Sequence, residues 1–129
     1  MSDRMRGACL CGGVTFEVDG AEAMGVCHCT RCRRNKGSNS VFVVVTKEKY
    51  RITGGQELVK RYHEEGFSDR YFCGRCGSGL YAEGNKLYVS AGTLKATEMM
   101  PAFHIQVANK APWDEIGGKA PQYPEWPTA

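Results

Sequence analysis

The seven cysteines of this 129-residue chain form three short clusters whose spacing is typical of metal ligands. The clusters are a C-x-C pair, a C-x-C-x-x-C triad and a C-x-x-C pair: Cys9 and Cys11; Cys27, Cys29 and Cys32; Cys73 and Cys76. On an extended backbone both side chains of C-x-C point to the same face, and a tight turn in C-x-x-C brings two sulfurs onto one ion. The odd number of cysteines excludes complete disulfide pairing.

The two pairs together can complete one closed site. Cys9, Cys11, Cys73 and Cys76 supply four thiolates, and tetrahedral structural zinc binds such thiolates at about 2.3 Å. Because the pairs lie far apart in the sequence, this site would staple the N-terminal region to the middle of the chain. The alternatives for these four residues are disulfides or buried thiols without a ligand.

The triad is one ligand short of a closed site. Three protein ligands and an open fourth position are typical of catalytic zinc. Zinc with three thiolates carries one net negative charge, which weakens its acidification of water, whereas an incoming thiol would still bind as a thiolate. We therefore expect Cys27, Cys29 and Cys32 to be catalytic residues that activate an external thiol rather than a hydrolytic water.

Two other interpretations of the triad remain open at this point. A histidine (His28, His63 or His104) or a carboxylate could close the site and make it structural, or the cluster could be a metal-free set of redox thiols. His28 lies between two ligands on an extended segment, so we expect its ring to point away and pack behind the site. The other two histidines lie in strand-like segments and are expected to have ordinary surface or core partners.

Four basic residues surround the end of the triad: Arg31, Arg33, Arg34 and Lys36. They could balance the negative charge of the thiolates, and Arg31, Arg33 and Arg34 are predicted to bind the carboxylates of a substrate. The run contains no interleaved aromatic residues, which favours an anion pocket or a solvated face over a nucleic-acid surface.

Composition limits the classes of protein to which the chain can belong. The 17 Lys and Arg residues against 14 Asp and Glu residues give a net charge of +3, too small to indicate a nucleic-acid or membrane partner. The longest apolar run, residues 41–45, is far short of the roughly 20 residues that span a bilayer, and the N-terminus lacks a signal-like apolar stretch. We expect a cytoplasmic protein with reduced thiols, folded as a single domain over residues 1–129 with flexible ends at 1–6 and 127–129.

Short strands are expected to position the clusters, so the predicted fold class is a mainly β, zinc-stapled small domain with short helical turns. Alternation and β-branched runs predict strands at residues 14–18, 41–45, 50–52, 57–62, 69–72, 80–82, 87–89 and 103–107. Gly54 and Gly55 suggest a hairpin between the third and fourth of these.

Helical signals are few. Thr30 is predicted to cap a short turn that ends at Gly37, and residues 97–100 to form one turn before Pro101. The proline-rich tail from Ala111 is predicted to be extended, with the aromatic rings of Trp113 and Trp126 lying over the body of the protein.

Several stretches of the sequence resemble the glutathione-dependent formaldehyde-activating enzyme family, whose domain is shared with centromere protein V. Residues 7–16 read GACLCGGVTF and resemble the opening motif of that family. Residues 27–34, CHCTRCRR, and residues 72–78, FCGRCGS, resemble its second and third motifs. The late segments PAFHI at 101–105 and APW at 111–113 are also similar, so the resemblance covers most of the chain.

This resemblance implies a β-tent type of fold and two zinc ions per chain. Cys9, Cys11, Cys73 and Cys76 would hold the structural ion, and Cys27, Cys29 and Cys32 the catalytic one. The implied activity is that of a carbon–sulfur lyase that condenses glutathione with formaldehyde to S-(hydroxymethyl)glutathione. The implied partners are therefore a small-molecule thiol and an aldehyde; the alternatives are a thiol carrier without turnover and a zinc-stapled interaction module.

Overall fold

Two β-sheets form most of the regular secondary structure in the computed structural model, which describes residues 4–95 and 97–127. The strands are β1 (Arg4–Ala8), β2 (Thr15–Asp19), β3 (Ala23–Cys27), β4 (Ser40–Val45), β5 (Tyr50–Gly54), β6 (Val59–Tyr62), β7 (Asp69–Cys73), β8 (Gly79–Glu83), β9 (Leu87–Ser90) and β10 (Pro101–Ile105), with one helix, α1 (Thr30–Lys36), among the described residues. The prediction of a mainly β fold with short helical turns is confirmed.

The smaller sheet has three strands in the order β1-β2-β5, and the larger has seven in the order β10-β3-β4-β9-β8-β7-β6. Neighbouring strands are antiparallel except β10, which runs parallel to β3. No helix within the described residues is long and apolar enough to cross a membrane.

The main core lies between the two sheets. Phe16 and Val18 of β2 pack in one cluster with Val43 and Val45 of β4, and all four are buried. On the opposite face of β4, Phe42 belongs to a second cluster that includes the triad cysteines. The apolar run continues through both faces of β4 because the strand is covered on both sides from Phe42 to Val45, while Val41 is exposed.

The predicted hairpin at Gly54 and Gly55 is wrong. Strand β5 pairs with β2 in the smaller sheet, whereas β6 pairs with β7 at the edge of the larger one. Gly55 has a φ of 78°, and any side chain there would overlap the Gly13 carbonyl group, so only glycine fits where the chain passes from one sheet to the other. Alternating strands on both sides of a glycine pair do not reveal that they join different sheets.

The helical predictions need two corrections. The N-cap of α1 is Cys29 rather than Thr30, because the Cys29 sulfur accepts the backbone N–H of Cys32 at 3.2 Å; the helix ends at Gly37 (φ 83°), as predicted. Residues 97–100 form no helical turn and lead directly into β10.

Both ends of the chain differ in part from expectation. Residues 4–6 of the predicted flexible N-terminal segment belong to β1 and pair with β2, while 1–3 and 128–129 lie outside the described residues. The tail runs beside β10, where the Tyr123 N–H donates to the His104 carbonyl at 2.9 Å. Tyr123 packs against the second cluster, whereas Trp113 and Trp126 are mostly exposed instead of lying over the body.

Candidate metal centres and the adjoining cavity

The four-cysteine centre joins two turns, one before β2 and one between β7 and β8. Its sulfurs, from Cys9, Cys11, Cys73 and Cys76, all lie within 4.8 Å of one another. The Sγ atoms of Cys9 and Cys11 are 3.5 Å apart, and those of Cys11 and Cys73 are 3.9 Å apart. A tetrahedral ion with bonds of about 2.3 Å separates its sulfurs by about 3.8 Å, so the donor set fits zinc. All seven cysteines are free thiols, so the disulfide interpretation of these four is wrong.

Hydrogen bonds hold these sulfurs in place and offset their charge. The Val14 N–H donates to Cys9 Sγ at 3.3 Å, and the Gly13 N–H donates to Cys11 Sγ at 3.4 Å. Arg75 Nε donates to Cys11 Sγ at 3.3 Å, and this bond raises the pKa of the guanidinium. Such N–H···S bonds orient ligands and reduce the negative charge of a four-thiolate centre.

The triad lies on the other face of the larger sheet, where β3 meets α1. Cys27 is the buried last residue of β3, Cys29 is the N-cap, and Cys32 is in the first turn of α1. Their three sulfurs also lie within 4.8 Å of one another. In residues 4–95 and 97–127 no histidine or carboxylate joins this set, so the described part of the chain supplies no fourth ligand of the kind that the alternative, closed-site interpretation requires.

Hydrogen bonding among the three thiols distributes their protons unevenly. Contact with Cys29 raises the pKa of Cys27, while contact with Cys27 lowers the pKa of Cys29 far below its ordinary value. Cys29 also accepts the Cys32 backbone N–H, the position at which a helix N-terminus stabilises a thiolate. The cluster therefore carries negative charge most readily at Cys29, as a metal site requires.

His28 points away from the sulfurs, as its place between two ligands predicts. Its Nε2 is 3.0 Å from Nδ1 of His104, and its Nδ1 is 3.6 Å from a carboxylate oxygen of Asp114. Both rings are buried, and burial lowers the pKa of each, which favours a neutral pair. His63 is exposed and contacts Asp69, with its Nδ1 2.6 Å from a carboxylate oxygen. His28 and His104 thus support the segment behind the triad, and His63 lies elsewhere at the surface.

A cavity of about 880 Å³ opens beside the triad, within the range of small-molecule sites. All three cysteines line it, together with aromatic walls from Phe42, Tyr88 and several residues of β7 and β8. Gln106 and Asn109 add two amide side chains. The four-cysteine centre contributes none of its ligands to this cavity.

Helix α1 divides its basic residues between two faces. Lys36 is four residues beyond Cys32 and lies on the cavity side with it. Arg33 and Arg34, which were predicted to bind substrate, line a separate small depression with Trp113. The Arg33 guanidinium donates to the Asn109 carbonyl at 3.1 Å. Of the three predicted substrate-binding arginines, Arg31 alone lines the cavity.

Arg31 lines the cavity but is already engaged. Its guanidinium forms an ion pair with Glu64 and stacks on the ring of Phe67, 3.7 Å from the centroid. Arg70 of β7, which is not among the predicted site residues, lines the cavity as well and donates to the Asn35 side chain at 3.3 Å. No nearby motif marks Arg70, since only the pairing of β7 in the larger sheet brings it to α1.

Comparison with known proteins supplies two findings. Residues 4–109 match the family model described as glutathione-dependent formaldehyde-activating enzyme. A structural-genomics protein of Rhodobacter sphaeroides with a crystal structure is 22% identical, with a TM-score of 0.64 over 92% of this chain and 99% of that one. At this identity the similarity shows a shared fold. No curated protein matches the chain.

Proposed function

The chain belongs to the glutathione-dependent formaldehyde-activating enzyme family, and from this premise we propose that it is a carbon–sulfur lyase that adds a thiol to a small aldehyde. Membership supports a formaldehyde-activating type of function at the level of the family. The thiol would be glutathione or a similar small thiol, and the aldehyde formaldehyde or a close relative. The observation that carries the proposal is the three-thiol set in the wall of a cavity that can take a small peptide.

We propose two zinc ions per chain, one held by Cys9, Cys11, Cys73 and Cys76 and the other by Cys27, Cys29 and Cys32. When bound to the triad, zinc would supply a Lewis-acidic position that favours the thiolate form of an incoming thiol. The donor chemistry fits, because thiolates are ligands that zinc prefers in proteins.

The residues of the chain would orient the reactants. Cys27 is fixed by strand pairing and Cys29 by the helix cap, so the ligands are held before substrate arrives. The amides of Gln106 and Asn109 and the exposed ring of Trp126 offer polar and apolar surface to the peptide part of the thiol. In the addition, a sulfur–carbon bond forms, the carbonyl double bond becomes single, and the carbonyl oxygen gains the proton lost by the thiol.

We place this activity in the cytoplasm. Seven free thiols, grouped as metal ligands, suit a compartment in which cysteines stay reduced. Glutathione is also abundant under such conditions.

Exchange of ¹³C-formaldehyde into its glutathione adduct, followed by NMR, tests the proposal. Protein carrying two zinc equivalents should accelerate the exchange, and Cys29→Ser should return it to the uncatalysed rate. Zinc-loaded protein that accelerates no adduct with glutathione, cysteine or coenzyme A would refute the enzyme. If calorimetry then showed binding of glutathione but not of S-methylglutathione, the chain would be a thiol carrier instead.

A further inference from the structure

Two cations in the cavity wall, Lys36 and Arg70, lie beside the triad without an acidic partner. Both line the same cavity as the three cysteines. Across residues 4–95 and 97–127 neither forms an ion pair with Asp or Glu, whereas Arg31, the third cation that lines the cavity, pairs with Glu64. Lys36 and Arg70 can both offset the negative charge of the triad. Because formaldehyde has no group for either cation, the donors that the protein leaves unused are available to another ligand.

Lys36 is held with most of its hydrogen-bonding capacity unused. Its ammonium donates to Ser90 Oγ at 2.8 Å, and no other protein acceptor in the described chain contacts it. The space it occupies exists because residue 79 is glycine, whose Cβ, if present, would lie 2.6 Å from Lys36 Nζ. An ammonium group has three donors, so Lys36 can offer two to a ligand.

Arg70 brings a second positive charge to the same wall. Its guanidinium donates to Asn35, one turn beyond Cys32 on α1, which fixes it toward the helix. Burial lowers the pKa of Lys36, and the nearby charge of Arg70 lowers it further. The Cys32 sulfur interacts with both cations, and the donors of Lys36 that the protein leaves unused make the pair a site for a carboxylate beside the triad.

The position of this pair indicates which reactant carries the carboxylate. Both cations interact with Cys32: Arg70 forms a hydrogen bond with its sulfur, and Lys36 is attracted to its charge. The proposed sulfur–carbon bond would form beside that sulfur, in the cavity that all three residues line. The carboxylates of glutathione are separated from its sulfur by several bonds, whereas the carboxylate of a 2-oxo acid is attached directly to the reacting carbonyl carbon.

We propose that the preferred carbonyl substrate is a small 2-oxo acid of the glyoxylate type, whose carboxylate binds between Lys36 and Arg70. This inference rests on the proposed thiol-addition function. The thiol sulfur bonds to the 2-oxo carbon, the carbonyl oxygen takes the thiol proton, and the carboxylate is unchanged. No oxidant or other co-reactant is needed.

The test compares glyoxylate with methyl glyoxylate, which has the same carbonyl group without the charge. With the zinc-loaded full chain and glutathione, the rate acceleration should be greater for glyoxylate. Lys36→Met and Arg70→Met should each reduce the glyoxylate-to-ester ratio of kcat/KM about ten- to a hundredfold, the range of a hydrogen bond to a charged group. Lys60→Met removes an exposed lysine from β6 as a matched control and should leave the ratio unchanged.

Gly79→Ala gives a second variant that keeps both charges. Its methyl group would displace only the flexible end of Lys36, so the fold should persist while the ratio falls. Binding is measured separately by calorimetry with oxamate, an unreactive analogue, against methyl oxamate. Oxamate should bind the parent and lose about tenfold or more in affinity with Lys36→Met.

The outcomes separate this inference from the proposed function. Equal acceleration of glyoxylate and its ester, or oxamate binding no tighter than acetate, would overturn the 2-oxo acid assignment while the thiol-addition activity stands. Absence of acceleration with every carbonyl would instead refute the activity. Repeating the series with 2-mercaptoethanol, which has no carboxylate, shows which reactant the two cations bind. If Lys36→Met no longer changes the glyoxylate-to-ester ratio with this thiol, the cations bind a carboxylate of glutathione, and the inference is overturned.

Discussion

The two cysteine centres use the same ligand chemistry but are built from different distances along the chain. The four-cysteine centre joins turns whose ligands Cys11 and Cys73 are 62 positions apart, whereas the triad comes from one β3–α1 junction. Cross-linking distant segments removes more freedom from the unfolded chain than cross-linking neighbours does. We therefore expect a metal ion at the first centre to help determine the fold, and one at the second centre to depend on a fold that already exists.

The two centres also differ in how completely the protein covers their sulfurs. Backbone N–H groups of tight turns cover the sulfurs of the first centre, with Gly12 and Gly77 in left-handed conformations at φ 76° and 82°. At the triad the cover is incomplete, and the sulfurs line a cavity. Identical donors can thus make a staple or a reactive site, according to whether the fourth position and the space around it are filled by protein.

The largest effect should follow loss of a ligand from the four-cysteine centre. Cys73→Ser is expected to unfold the protein, because a structural zinc site is worth about 10 kcal/mol or more and a whole domain is stable by only about 5–15 kcal/mol. Circular dichroism and zinc content per chain would measure this. A variant that melts at the temperature of the parent would show that the centre is not a staple.

Removal of a triad ligand should have a smaller effect on stability and a complete effect on chemistry. Cys29→Ser is expected to lower the free energy of unfolding by about 1–3 kcal/mol, to lose one zinc equivalent, and to lose thiol-adduct formation. Amide NMR spectra should stay dispersed. Global unfolding of this variant would contradict the contrast between a structural and a reactive centre, because it would show that the fold depends on both centres.

A substitution of His28, behind the triad, should weaken zinc binding at the triad and leave the four-cysteine centre unchanged. His28→Phe keeps an aromatic ring but leaves the buried His104 nitrogen without its partner, so we expect a loss of about 1–3 kcal/mol in stability. Because His28 connects Cys27 to Cys29, zinc affinity at the triad should also fall by about tenfold. Competition with a chromophoric chelator would measure both ions, and the exposed His63→Phe is the control. If the affinity for both ions fell equally, His28 would have only a general packing role.

The division of the cysteines into four and three could be predicted from sequence because metal-ligand spacing is local. The strand at 41–45 could be predicted for a similar reason, since a β-branched run of that length is too short for a helix. Strand β3 was missed because Ala23–Cys27 contains few β-branched or aromatic residues. Its Gly25 is buried against Phe42 and Phe103, and only the tertiary structure reveals that contact.

The composition of the cavity wall was less predictable. Helical periodicity alone could have separated Lys36, four residues after Cys32, from Arg33 and Arg34 on another face. Arg70 could not have been found in this way, because strand pairing across the larger sheet brings it to the helix. Local patterns therefore identify the candidate metal ligands, whereas the groups that we propose to select a substrate come together only through the order of the strands in the sheet.

The smallest predicted effect concerns Gln106, which follows β10 at the cavity wall. It is the only non-glycine residue in the described ranges with a positive φ, 58°, a conformation that costs about 1–2 kcal/mol for most residues. Its side chain accepts a hydrogen bond from Asn109 at 3.0 Å.

Gln106→Gly should relieve this strain and change the melting temperature by only a few degrees, while raising KM for the thiol through loss of the amide. Thermal melts and steady-state kinetics, with Gln106→Asn as the conservative variant, would check this. A Gln106→Gly variant that is less stable but binds the thiol normally would contradict this prediction. It would show that Gln106 supports the fold of the cavity wall and takes no part in binding at the reactive centre.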